Sequence, residues 1–165
     1  MTQQTINVGT VANDGTGDPL RTAGQKINDN FTELYGASGS GNRVVTLLVT
    51  DPNGDAITTG DGKAYFRVPS TLDGMDLLAV AASLSTVSSS GAVTVQIRNA
   101  TQAMDMLSTP ITIDQSETDT LTAATPAVID MYAIVSTGDQ LYIDCDGAGT
   151  GAKGLIIELQ FGFAS

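Results

Sequence analysis

From Leu20 to Leu34 the apolar residues recur at three- and four-residue intervals. Leu20, Ala23, Ile27, Phe31 and Leu34 form one stripe on a helix, with polar residues filling the other faces. The pattern predicts a helix over residues 18–35. Asp18 is expected as N-cap, and Pro19 in the first helical position, where its missing N–H costs nothing. Gly36 is the expected stop, and 37–42 reads as a Gly/Ser-rich flexible linker. A helix of this length is marginal in water alone, so its stripe needs a cover. The β-region of the same chain, another copy and a larger assembly all qualify. Leu20, Ile27 and Leu34 also stand seven residues apart, a spacing that suits self-association. Ahead of the helix, residues 2–17 read as an extended polar arm with a weak Ile6/Val8 alternation. The arm runs into an Asn13-Asp14-Gly15-Thr16-Gly17 turn.

After Arg43 the period changes to two. Ala64, Phe66 and Val68 alternate with Lys63, Tyr65 and Arg67, and Val93, Val95 and Ile97 with Thr94, Gln96 and Arg98. Leu141, Ile143 and Cys145 alternate with Tyr142, Asp144 and Asp146. The last strand sets Leu155, Ile157, Leu159, Phe161 and Phe163 on one face, with Glu158 and Gln160 on the other. Twenty-two threonines favour strand over helix. About eight strands fit between Arg43 and Phe163, the number in a jelly roll, with a plain Greek-key sandwich as the other possibility. No repeat of 20 to 50 residues is present, which argues against a solenoid or triple-stranded β-helix. The expected fold class is therefore mainly β: an antiparallel, jelly-roll-like β-sandwich (43–165) after an arm and one short α-helix (1–36).

One segment breaks the alternation. Between Leu77 and Leu84, Leu78, Val80, Ala82 and Leu84 can face the core, yet Leu77, Ala79 and Ala81 opposite are apolar too. A strand apolar on both faces is either covered centrally or part of a subunit interface, and a two-layer sandwich favours the interface.

Charge and composition remove several functions. Seven basic residues against eighteen acidic ones leave a net charge of −11, which repels phosphate backbones and argues against nucleic-acid binding. The absence of His, with Cys145 the single cysteine, removes Ser-His-Asp and Cys-His nucleophiles, imidazole zinc sites and intramolecular disulfides. No cofactor is expected. The N-terminus lacks a secretory-signal pattern, and no apolar run approaches the roughly 20 residues of a membrane helix. Synthesis in a reducing cytoplasm, with no membrane partner, is the expectation.

The remaining motifs fail on spacing. Asp51-Pro52-Asn53-Gly54-Asp55 begins like a calcium loop, but Ala56 stands at its sixth position and Gly62 at its twelfth, so it reads as an Asp-Pro turn. Asp144 and Asp146, with Asp139, offer a weak calcium possibility without a supporting spacing rule; a solvated strand face explains them better. Gly147–Lys153 is Gly-rich, but Ala152 precedes the lysine and a strand follows, so it reads as a hairpin loop rather than a phosphate loop. Aromatics make up 5% and Trp is absent, which leaves no platform for a sugar cleft. A depolymerase is disfavoured and the protein is expected not to be an enzyme.

Asn13-Asp14-Gly15-Thr16-Gly17-Asp18, Leu20-Arg21, Lys26-Ile27-Asn28, Asn30-Phe31 and Glu33-Leu34-Tyr35 closely resemble an N-terminal motif of tailed-bacteriophage virion structural proteins. Those proteins include tail fibres, head fibres and other structural proteins. The β-region is similar to phage jelly-roll modules that end in a Gly-rich loop and a hydrophobic last strand, here Thr150–Ile156. The resemblance implies an N-terminal attachment element and an exposed, usually trimeric, head. With a short linker and no long shaft, it implies a homotrimeric capsid decoration protein or short head fibre on the virion surface. The expected partners are other copies and a capsid or other virion protein held through residues 1–36. The expected attachment or oligomer interface comprises Leu20, Ile27, Phe31, Leu34, Tyr35, Leu77, Ala79 and Ala81. The alternative is a tail-fibre or receptor-binding module that recognises a host surface glycan or protein through loops such as 51–62 and 115–125.

Overall fold

The computed structural model describes residues 4–11, 14–39, 41–131 and 133–163, with side chains of 35–39 outside the description. The chain divides into two units, Met1–Gly41 and Asn42–Ser165.

The first unit holds the arm and one helix, α1 (Leu20–Gly39). The Pro19 carbonyl accepts the Ala23 N–H at 3.0 Å, so Pro19 rather than Asp18 stands at the helix entry. The expected cap fails because the Asp18 carboxylate is committed elsewhere, to the Asn7 amide and to Lys26. The expected stop at Gly36 is also overrun, since the helix continues to Gly39. Glycine permits a left-handed ending without imposing one. No helix among the described residues is long and apolar enough to cross a membrane.

The second unit is a β-sandwich. Its strands are β1 (Arg43–Leu48), β2 (Gly60–Arg67), β3 (Asp76–Ser83), β4 (Val93–Asn99), β5 (Met104–Asp105), β6 (Leu107–Thr109), β7 (Ile111–Ile113), β8 (Val128–Ile129), β9 (Gln140–Ala148) and β10 (Ile156–Gly162). The first sheet has the order β1-β10-β3; the second runs β2-β9-β4, with β5 and β7 both on β4; β6 and β8 form a small third ladder. Every pairing is antiparallel. The first strand pairs with the last and the second with the next to last, as though one long hairpin had been rolled up. This is jelly-roll connectivity.

The alternation read from the sequence defines the core. Val93, Val95, Ile97, Leu141, Ile143 and Cys145 of the second sheet and Ile157, Leu159 and Phe161 of the first are buried in one cluster. The Phe66 and Phe161 rings, one from each sheet, lie 6.3 Å apart across it. Phe163 is half exposed instead of inward, because β10 ends at Gly162.

The two-faced segment is resolved by a β-bulge. Gln160 pairs with Ala79 but Phe161 pairs with Leu77, which leaves Leu78 as the extra residue. The insertion reverses the facing expected at that end of β3. Leu77 turns inward at 3% exposure, while Leu78 sits outside at 39%. Ala82 and Leu84 face the core as expected.

Truncating Phe161 would empty the junction between the sheets. Phe161→Ala is expected to cost about 3–5 kcal/mol of stability, read as a fall in the urea midpoint at unchanged slope. A loss below about 1 kcal/mol would show that the sheets do not share this core.

Candidate attachment and assembly surfaces

The arm is tied to α1 by side chains. The Asn30 amide makes two bonds to one residue of the arm: its Oδ1 accepts the Gln4 N–H and its Nδ2 donates to the Gln4 carbonyl, both at 2.9 Å. One turn earlier, Lys26 Nζ donates to the Thr5 carbonyl at 3.0 Å and pairs with Asp18 at 2.7 Å. Asp18 also accepts the Asn7 N–H, while its own N–H donates to the Asn7 carbonyl. Residues 4, 5 and 7 therefore meet positions 30, 26 and 18 in that order, and the arm runs antiparallel to the helix.

The turn that follows is built on Asp14. Its carboxylate accepts the Thr10 hydroxyl and the Thr10, Val11 and Thr16 N–H groups. These donors, led by the hydroxyl, hold its carboxyl well below the usual carboxylate range. Lys26, followed by the Asn7 amide, lowers Asp18 in the same sense. Gly17 is required by close approach, since a Cβ there would stand 3.0 Å from the Asn7 carbonyl oxygen. The turn at Asp14 follows the Asn-Asp-Gly reading of the sequence, whereas for the contacts of Lys26 and Asn30 the sequence signal was their place in the phage-like motif.

The arm occupies a polar flank and leaves the expected stripe open. Leu20 is 90%, Ile27 42%, Phe31 51% and Leu34 56% exposed. Ile27, Asn30, Phe31 and Leu34 line a shallow groove of about 240 Å³. Of the expected interface residues, these four fall on one helix face, and the Tyr35 side chain lies outside the described residues.

In the β-unit, Ala79 and Ala81 look outward beside Gln160 and Glu158. Leu77 is withdrawn from that surface and belongs to the core, which corrects its assignment to an interface. Leu78 takes the outer place and, with Val80, Ile111, Ala127 and Val128, lines an open groove of about 500 Å³. The 115–125 loop is held by Asp119 within it, which accepts the Leu121 N–H, and by Asp114 just before it, which accepts the Ala124 N–H. Leu121 stands out at its tip. The 51–55 segment is a turn, with Asp51 accepting from Asn53 and Gly54 N–H.

The acidic and Gly-rich motifs have structural roles. Asp139 is buried and accepts Asn99 and Gln102 amides and the Ser136 N–H. Asp144 accepts the Gly62 N–H at 2.6 Å. Among the described residues, no three carboxylate or thiol groups converge on a metal position. Lys153 reaches the Gly54 carbonyl at 2.8 Å, while Gly149, at φ +60°, packs against buried Ser88. Cys145 is buried, which pushes its thiol up and leaves it poorly nucleophilic. Partial burial, followed by repulsion from Asp144, Asp61 and Asp105, raises Asp146 above the ordinary carboxylate value.

Residues 3–138 match the family described as Bacteriophage T4 gp9/10-like protein, N-terminal, and the chain belongs to that family. It is 42% identical over 67 residues to the baseplate wedge protein gp10 of Enterobacteria phage T4. The match covers 38% of this chain and 11% of that protein, so the chain corresponds to a small part of this relative's length. No solved structure matches. The protein is a phage virion structural protein.

A raised carboxyl binds its proton more tightly in the folded state, so stability falls as pH rises above the ordinary carboxylate value. Asp146→Asn removes the repulsion. It is expected to raise the urea midpoint at pH 7, and the gain should fade as the pH is lowered into the ordinary carboxylate range. A gain that is the same at both pH values would contradict the electrostatic cause.

Proposed function

We propose that the N-terminal unit attaches this chain to another virion protein through the exposed ridge of α1, and that the β-sandwich is the displayed head. The observation that carries the reading is the ridge itself. Large apolar side chains at 20, 27, 31 and 34 stand 42–90% exposed on one face of α1. Covering them against a partner removes apolar surface from water at about 25 cal/mol per Å². The matched relative is a baseplate protein, so a place in the tail is the better supported location. The capsid-decoration and head-fibre expectation has no relative behind it.

The role is structural and non-enzymatic. The sequence carries no histidine, its cysteine is buried, and Asp51, Asp114, Asp119 and Asp139 are engaged in holding loops. The outward Ala79 and Ala81 of β3, which the proposed attachment does not use, favour a homotrimer formed through the β-unit. Receptor recognition by the loop carrying exposed Leu121 is the second reading.

The full-length double variant Ile27→Asp/Leu34→Asp tests the attachment. Incorporation into particles is expected to fall at least about tenfold, equivalent to about 1.4 kcal/mol, with the unfolding midpoint of the β-unit unchanged. Undiminished incorporation would reject the ridge as the docking surface. Sedimentation of the wild-type chain at a trimer mass would support self-association, and a monomer mass at micromolar concentration would oppose it.

A further inference from the structure

We propose that Asp18, Lys26 and Asn30 are positioning residues: they clasp residues 4–7 along one flank of α1 in the free chain, so that the arm is already ordered when the ridge meets its partner. The inference rests on the attachment reading above and assigns a task to polar residues that reading does not use. Its basis is the matched geometry of the contacts. The Asn30 amide satisfies both the N–H and the carbonyl of Gln4, as a neighbouring strand would. Only a carboxamide offers a donor and an acceptor side by side in this way. Lys26 bridges the Thr5 carbonyl and the Asp18 carboxylate, and Asp18 in turn holds the Asn7 N–H. Each group in the chain orients the next.

The arrangement has a consequence for docking. An arm left as a random chain would lose its backbone freedom at the moment of binding, and that entropy would be subtracted from the affinity. An arm fixed in advance loses it during folding instead, and it cannot wander over the ridge. Single exposed contacts of this kind are weak, so the clasp depends on all of them closing together. The Asp14 turn and the close approach at Gly17 shorten the connection and favour that closure.

Hydrogen exchange on the full-length protein tests the clasp directly. In the wild type, the Gln4 and Asn7 amides are expected to exchange at least about tenfold more slowly than in an unstructured peptide. Asn30→Ala removes both the acceptor of the Gln4 N–H and the donor to its carbonyl, and should abolish the protection at Gln4 while the α1 amides keep theirs. Lys26→Met should release Asn7, and Lys26→Arg should restore it. Particle incorporation of Asn30→Ala and Lys26→Met is expected to fall about tenfold although the ridge is intact. Unprotected arm amides in the wild type would overturn the clasp. Lost protection with normal incorporation would overturn its positioning role, whereas normal incorporation of the Ile27/Leu34 variant would instead overturn the attachment reading.

Discussion

The β-unit depends on the pairing of two strands that lie at opposite ends of it in sequence. β10 sits between β1 and β3 and supplies the most deeply buried row of the first sheet, Ile157, Leu159 and Phe161. Without it, β1 and β3 would share no ladder and the second sheet would have no opposing layer. The same closure brings the 85–90 and 149–155 segments together, where Thr86 and Lys153 exchange backbone bonds, Thr150 accepts the Ser89 N–H, and the Thr150 N–H reaches the Ser90 carbonyl and the Ser88 hydroxyl. The core needs no charged residue. Buried Asp139 and Asp144 sit at its margins, each with its hydrogen bonds satisfied.

The N-terminal unit follows a different logic. Its order comes from polar side chains and backbone groups, while Leu20, Ile27, Phe31 and Leu34 stand exposed. That inversion is what a docking element requires, since a ridge consumed by its own unit would have nothing to offer a partner. Within a phage structural protein of this family, the division supports the proposed roles of the two units.

The long strands were legible because burial imposes period two on them. Val93-Val95-Ile97 and Leu141-Ile143-Cys145 could face only one way. Leu77 and Leu78 were not legible, because both are apolar and hydrophobicity cannot tell which one a bulge expels. That decision lies with the opposing strand, where Gln160 and Phe161 step past two residues of β3. β5, β6 and β8 span two or three residues each, too few to alternate. Within the candidate site the helix stripe was readable and the clasp was not. Asp18 has the side chain of a helix cap, and nothing in the local sequence reveals that Lys26, eight residues on, takes its carboxylate. Polar contacts between an extended arm and a helix carry no period at all.

The rolled-up connectivity also sets a timetable. Contacts within the arm and helix join residues at most 26 apart, as between Gln4 and Asn30. Sealing the sandwich joins residues as far apart as Arg43 and Phe161, a separation of 118. Long-range closure of this kind is slow and must wait for the distant strand to be synthesised. A nascent chain therefore completes its N-terminal unit while the β-unit is still an open sheet, and the edges of β3 and β1 stay exposed to other nascent copies until the final strand slides between them.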